Sequence, residues 1–164
     1  MKNVKIVLVL ITAATLFACG STNSVNASKE ATPPSETELA DGYWELVRMT
    51  GMPAIKKPMK GDRKIGFSLN ASESQINGYA GCNTFFSTYV LNGSNITFSQ
   101  IGSTKMACVR NPIDEQAFLT MFGQANRIEV KDNLLNLMDS ANNVLAVFQH
   151  TANDGMVNVD TTDE

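Results

Sequence analysis

The chain has 164 residues, a formal net charge of −3 and a charged fraction of 18%. This length predicts one domain, and the acidic balance gives no electrostatic support for binding nucleic acid or an anionic membrane surface. The chain contains one histidine and three cysteines. These are too few for a zinc site once one cysteine is used elsewhere, so no metal or other cofactor is expected.

Residues 1–18 have the pattern of a secretory signal peptide, in which two lysines precede an apolar run. The run is too short to predict a membrane span. Its end, Leu16-Phe17-Ala18-Cys19, resembles a bacterial lipobox. That resemblance implies cleavage before Cys19 and acylation with fatty acids such as palmitate, which would hold the protein at a lipid bilayer. An ordinary signal peptide with an incidental cysteine is the alternative.

The residue after Gly20 is Ser21 rather than Asp, and the sorting rule for bacterial lipoproteins then favours the outer membrane, with the domain facing the periplasm. Residues 19–40 are rich in Ser, Thr, Asn, Pro and Glu, which predicts a flexible tether behind the lipidated cysteine. We expect the folded domain over residues 41–149. Residues 150–164 are polar and acidic, which predicts a disordered tail.

Within residues 41–149, short apolar alternations are separated by turn residues, which is typical of β-strands. One strand begins at Gln75 and is expected to bend at Gly78 and Gly81, because glycine within a strand often marks a corner or a bulge. The predicted strands cover, approximately, residues 43–49, 64–69, 75–90, 96–101, 127–130, 135–138 and 144–148.

One helix is predicted between the fourth and fifth of these strands. Asn111 is a good N-cap and Pro112 suits a first helical turn, while Asp114 and Glu115 place negative charge near the helix N-terminus. The helix should end by about Asn126, and its apolar stripe consists of Ile113, Ala117, Phe118, Met121 and Phe122.

About seven strands and one helix predict a mainly β fold. The short turns and the lack of strand–helix alternation favour a small antiparallel β-barrel or half-barrel with one α-helix packed at an open end.

Two segments carry the most distinctive sequence pattern. The first, residues 76–89, contains Gly81-Cys82-Asn83, and the second is Thr104-Lys105-Met106-Ala107-Cys108. Together with Trp44-Glu45-Leu46 and the helix residues around Glu115, they resemble the META-domain family, which includes the heat-inducible HslJ-like lipoproteins. The resemblance covers about residues 41–149. It implies a small barrel-like fold and no defined reaction, with an envelope or stress-linked role that extends to tolerance of hydrophobic antibiotics.

Cys82 and Cys108 are the two cysteines left after acylation of Cys19. In an oxidising compartment, two such cysteines predict a structural disulfide between them. A redox-active pair is the alternative, although the spacing lacks the Cys-x-x-Cys pattern that lowers a thiol pKa.

The sequence favours a non-catalytic protein. His150 is the one histidine, and it stands at the edge of the predicted domain, where it is poorly placed for a catalytic triad. Asp114 and Glu115 are adjacent on a helix and are interpreted as helix-start charges rather than an acid–base pair. No catalytic or cofactor-binding residue is therefore predicted.

Two functional hypotheses come from different classes. The first is a binding module that holds a hydrophobic small molecule or an envelope protein through aromatic side chains in the barrel, namely Trp44, Tyr79, Phe85 and Tyr89. The alternative is that these aromatics are core residues, which is the common case for aromatic side chains and the one favoured for Trp44. The second is a structural stress accessory that displays a docking surface, such as the basic loop at residues 56–64; a thiol-redox role for the cysteine pair is a further alternative.

Overall fold

The computed structural model describes residues 33–55, 62–108 and 111–152. The signal peptide, Cys19, most of the tether, residues 56–61 of the basic loop and the tail from residue 153 lie outside the described residues. What the sequence predicts for these segments therefore stays a prediction.

The described residues form nine strands and two helices. In chain order they are α1 (Glu36–Ala40), β1 (Tyr43–Met49), β2 (Gly66–Asn70), β3 (Gln75–Tyr79), β4 (Thr84–Asn92), β5 (Asn95–Phe98), β6 (Gly102–Ser103), α2 (Glu115–Gln124), β7 (Arg127–Lys131), β8 (Leu134–Met138) and β9 (Val144–Thr151).

Eight of these strands close into an antiparallel barrel. The order is β1-β2-β3-β4-β5-β7-β8-β9, and β9 pairs with β1 to close the ring. The two-residue strand β6 lies outside the ring and pairs with the first half of β4. The predicted mainly β fold, an antiparallel barrel with a helix at its end, is confirmed.

The predicted single strand over residues 75–90 is wrong, because the chain reverses completely within it. β3 and β4 pair antiparallel, with Tyr79 opposite Thr84. Gly81 has φ +101°, a conformation that residues with a Cβ rarely adopt, and the Ala80 N–H donates to the Asn83 carbonyl at 2.9 Å. The segment around Gly81 is therefore a tight turn between two strands rather than a bend within one strand.

The main helix begins later than predicted. Its N-cap is Asp114, whose Oδ1 accepts from the Ala117 N–H at 3.0 Å, so the prediction that Asn111 caps the helix is wrong. Asp and Asn are equally good caps, and the one nearer the apolar stripe is used. Three of the five residues of the predicted stripe, Phe118, Met121 and Phe122, are buried, whereas Ala117 is half-buried and Ile113 lies just before the helix.

Phenylalanine rings fill the centre of the barrel. The Phe122 ring from α2 lies 5.1–5.5 Å, centroid to centroid, from the rings of Phe67, Phe85, Phe98 and Phe118. Most of these pairs are edge-to-face, the arrangement that aromatic quadrupoles favour. Helix α2 therefore covers one end of the barrel and inserts aromatic side chains into its core.

The second helix, α1, stands where the sequence predicted tether. Ser35 caps it, and Leu39 is fully buried and accepts a hydrogen bond from the Trp44 indole N–H at 2.8 Å. Five residues are too short for a helical period to be recognised in sequence. Order therefore begins before Asp41, and at the other end β9 continues to Thr151, beyond the predicted strand end at residue 148.

Candidate functional site

The aromatic residues that the sequence offered as ligand contacts lie mainly in the core. Trp44, Phe85 and Tyr89 are buried at 1%, 2% and 3% exposure. Tyr79 is partly buried, and the Arg63 guanidinium lies 4.6 Å from the centre of its ring. Three of the four are therefore occupied in packing, and they do not line a common cavity.

The two sequence motifs meet at the Asn83 side chain. Its Oδ1 accepts from the Thr104 hydroxyl at 2.8 Å and from the Met106 backbone N–H at 2.7 Å. Its Nδ2 donates to Glu115 Oε1 at 2.8 Å and to Cys82 Sγ at 3.4 Å. The residue is 7% exposed, so these bonds replace contacts with water that burial has removed.

Glu115 connects this junction to the helix. In addition to its bond from the side chain of Asn83, its Oε2 accepts from the Asn83 backbone N–H at 3.0 Å. Sequence reasoning assigned Glu115 only a helix-start charge and missed this contact. Asn83 and Glu115 are both among the residues on which the family resemblance rests. That resemblance was the one sequence signal that could have pointed to their contact. The carboxylate therefore joins α2 to the turn between β3 and β4.

Cys82 and Cys108 form a disulfide, with Cα atoms 6.1 Å apart. Cys82 is buried at 6% exposure, whereas Cys108 is exposed. The disulfide lies next to the Asn83 bonds, so covalent and polar links join the same two segments. We call the set Cys82, Asn83, Thr104, Cys108 and Glu115 the motif junction.

Two tyrosine hydroxyls are buried elsewhere in the barrel. Burial raises the pKa of the Tyr43 hydroxyl above its usual range, because the phenolate would lose its hydration, and the neutral group donates to the Lys64 carbonyl at 2.8 Å. Burial also raises the pKa of Tyr89, with a smaller contribution from the Glu36 carboxylate. Both groups are neutral hydrogen-bonding or packing residues at ordinary pH.

His150 has a structural position. Its ring lies 5.1 Å from the Trp44 ring, edge to face, and its Nε2 contacts the Asp41 carbonyl oxygen. Asp114 is engaged in capping α2 and Glu115 in holding Asn83. Each of these three groups, the ones weighed above for catalysis, therefore has a structural partner, and His150 is not paired with either carboxylate among the contacts of the described residues.

One side of the barrel has no charged side chain pointing outward from its strands. Alternation of buried and exposed positions identifies the outward residues of β2, β3, β4 and β5. They are Ser68, Asn70, Gln75, Asn77, Tyr79, Thr84, Phe86, Thr88, Val90, Asn92, Asn95 and Thr97. We call this set the uncharged face.

Two large apolar side chains stand at the centre of the uncharged face. Phe86 is 62% exposed and Val90 is 71% exposed. Phe86 is paired across the strands with Asn77 and with Gly102, and a Cβ at Gly102 would come within 2.5 Å of the Phe86 ring. The tip of the Phe86 ring therefore occupies the space that a side chain at position 102 would need. On β7, the strand next to β5 in the ring, the outward positions are Arg127, Glu129 and Lys131, all charged, so the uncharged face ends at this strand.

Two grooves flank α2 on the outside of the barrel. The larger, about 470 Å³, lies between α2 and the ends of β1 and β9, and its apolar lining includes Met49, Ala117, Met121 and Leu145. The smaller, about 360 Å³, lies between α2 and residues 99–103. Both are surface features, separate from the aromatic core.

Within residues 33–55, 62–108 and 111–152, no cluster of three or more His, Cys, Asp or Glu side chains could hold a metal ion. A helix long and apolar enough to cross a bilayer is likewise absent from this part of the chain.

Comparison with solved structures supports the fold. The chain is similar to an NMR structure of a protein from Burkholderia xenovorans, with a TM-score of 0.56 and 20% identity over 80% of this chain and 97% of that one. A second NMR structure gives a TM-score of 0.53 and 19% identity over 71% of this chain and 95% of the other. At such identities the likeness concerns the fold alone. No functionally curated protein matches the chain significantly.

Comparison with family profiles gives a match to the META domain over residues 37–152. This range contains both cysteines of the disulfide, Asn83, Glu115 and every strand of the barrel. The chain therefore belongs to the META-domain family.

Proposed function

We propose that this protein is a lipid-anchored, non-catalytic module of the bacterial envelope that binds another envelope protein through its uncharged face. The observation that carries the proposal is the exposure of Phe86 and Val90 at the centre of a face without outward charge. Depletion of charge with enrichment of aromatic residues is the compositional signature of interface cores.

The close packing of the barrel interior favours binding at the surface of the protein over binding of a ligand inside the barrel. The rings of α2 and of the strands pack against one another at 5.0–6.4 Å between centroids, which is the spacing of directly contacting aromatic pairs. A hydrophobic small molecule would therefore have to use the outer groove along α2 rather than the barrel centre. Its large apolar side chains, Met49, Met121 and Leu145, already pack against the core.

The anchor rests on Cys19 and its lipobox-like context. Acyl chains on this cysteine would restrict the domain to a layer next to the outer membrane, where a weak protein contact is strengthened by high local concentration. A tolerance role under heat or antibiotic stress would then follow from the bound envelope protein rather than from chemistry in this chain.

Site-specific photocrosslinking in cells tests the docking proposal. A benzophenone amino acid is placed at position 90 in the uncharged face, or at position 129 on the neighbouring charged strand β7 as the matched control. We expect a discrete protein adduct from position 90 that is weaker by at least about tenfold from position 129, and that Phe86→Asp abolishes. Circular dichroism should show that Phe86→Asp leaves the fold intact, since this side chain is exposed.

The captured protein must then bind the purified full-length chain. The strands of the uncharged face carry no outward charge, and two nearby charged groups, Arg63 over the Tyr79 ring and Glu73 on the Asn70 side chain, lie at the ends of β3 and β2. The affinity should therefore change by less than about tenfold between 50 mM and 500 mM salt. Equal adducts from both positions, or a steep salt dependence, would contradict the proposal. Fractionation of a Cys19→Ser variant tests the anchor separately, with release of the protein from the membrane fraction as the expected result.

A further inference from the structure

The two sulfur atoms of the disulfide differ in accessibility. Cys82 is buried at 6% exposure in the turn between β3 and β4, whereas Cys108 is exposed at the end of the second motif. Thiol–disulfide exchange begins with attack by a thiolate on one sulfur, and access decides which sulfur is attacked. The geometry favours attack at Cys108.

The buried sulfur has a hydrogen-bond donor beside it. Asn83 Nδ2 lies 3.4 Å from Cys82 Sγ. This N–H group can donate to the departing sulfur, while the Met106 carbonyl oxygen, 3.6 Å from Cys82 Sγ, can accept from the thiol once the bond has opened. The difference in access therefore sets the direction of exchange, and the Asn83 amide offers a hydrogen bond to the sulfur that leaves.

The motif junction also has links that survive opening of the disulfide. Thr104 and Met106 are bonded to Asn83 Oδ1 at 2.8 and 2.7 Å, and the Thr104 N–H donates to the Thr84 carbonyl at 3.0 Å. These bonds hold the second motif against β4 up to residue 106. Exchange would release only the last two residues of that motif, so the fold does not depend on an intact disulfide at every moment.

We propose that the Cys82–Cys108 disulfide is a thiol-exchange site and that Cys108 is the residue modified. An external thiolate forms a bond to Cys108 Sγ, the Cys82–Cys108 bond breaks, and its electron pair leaves on Cys82 Sγ. The incoming thiol is oxidised to a mixed disulfide, and Cys82 is reduced to a thiolate that can take up the proton lost by that thiol. The reacting partner is a thiol, either a small molecule or an exposed cysteine of another protein. This inference does not depend on the uncharged face.

Mass spectrometry of the full-length chain tests the direction of exchange. The native protein is incubated with reduced glutathione, quenched with acid, and alkylated with N-ethylmaleimide under denaturing conditions. Trypsin separates the two cysteines, since Cys108 lies between Lys105 and Arg110 whereas Cys82 lies between Lys64 and Lys105. We expect glutathione on Cys108 and N-ethylmaleimide on Cys82, with at least about a tenfold excess over the reverse pattern.

Two variants that each lack one cysteine of the pair provide a matched comparison. With Cys82→Ala, the remaining Cys108 should react with oxidised glutathione under native conditions, whereas with Cys108→Ala the remaining Cys82 should react at least about tenfold more slowly. Glutathione on Cys82, an even distribution, or no adduct until denaturant is added would overturn the proposal. The wild-type experiment stands without the variants if either fails to fold. A cysteine-containing peptide replaces glutathione to distinguish a protein thiol from a small-molecule thiol as the preferred partner.

Discussion

At the scale of single residues, Asn83 joins parts of the chain that are distant in sequence. Its side chain and backbone bond to residues 21 to 32 positions away in the second motif and in α2. An amide suits this position because it offers an acceptor toward Thr104 and Met106 and a donor toward the Glu115 carboxylate. A carboxylate could accept these hydrogen bonds but not donate one to Glu115, and an apolar side chain could do neither.

Reversal of donor and acceptor at this pair gives the first prediction. Asn83→Asp places two carboxylates together, and we expect it to lower the free energy of unfolding by about 3 kcal/mol. Combining it with Glu115→Gln restores a donor facing an acceptor and should recover about 1–2 kcal/mol. Urea denaturation of the wild type, both single variants and the double variant measures the coupling. Additive losses would show that the Asn83–Glu115 contact contributes little.

At the scale of elements, α2 has a clear N-cap and a buried stripe, but it also contains a glycine that lowers its helical stability. The Asp114 cap and the buried stripe define the helix, while Gly123 lies exposed in its last turn with no heavy atom within 4 Å of a would-be Cβ. Glycine in a helix costs conformational entropy that alanine does not.

A matched pair of glycine substitutions tests how local geometry determines stability. Gly123→Ala should raise the free energy of unfolding by about 1 kcal/mol, because the position is helical and open. Gly78→Ala should lower it by about 3 kcal/mol or prevent folding, because the new Cβ would collide with the Gly66 carbonyl oxygen and the Phe85 ring. Thermal denaturation compares both with the wild type, and a loss of stability in Gly123→Ala would contradict the described end of α2.

The same elements show how far sequence reasoning reaches. The helix stripe and the alternation of β5 were predictable, because Phe118 and Phe122, or Ile96 and Phe98, are spaced within one element. The two-residue strand β6 was not, because Gly102 and Ser103 have no strand preference and pair only because β4 lies beside them.

At the scale of the whole molecule, the barrel is closed unevenly. The β8–β9 ladder has five paired positions, whereas β5 and β7 share the single pair Asn95 and Arg127. The seam is completed by two backbone bonds, from the Ile96 N–H to the Asn126 carbonyl at 3.0 Å and from the Ile128 N–H to the Ser94 carbonyl at 2.9 Å. Fewer cooperative bonds mean that this seam should open more readily than the rest.

Native-state hydrogen exchange tests this uneven closure. We expect the amides of Ile96 and Ile128 to exchange at least about tenfold faster than hydrogen-bonded amides of the β8–β9 ladder, under conditions where local opening dominates. Uniform protection around the barrel would instead show that it opens as one cooperative unit.

The amino-acid sequence by itself determined the β character of the domain, the approximate positions of most strands and of α2, and the choice of two cysteines for a disulfide. These properties depend on side-chain period, turn residues and composition, which act within a few positions along the chain. Only the tertiary structure decided the reversal at Gly81, the pairing of β9 with β1, the contact between Asn83 and Glu115, and the assembly of the uncharged face. Each of these brings together residues from separate elements, and their meeting depends on strand register and barrel closure, which no local pattern encodes.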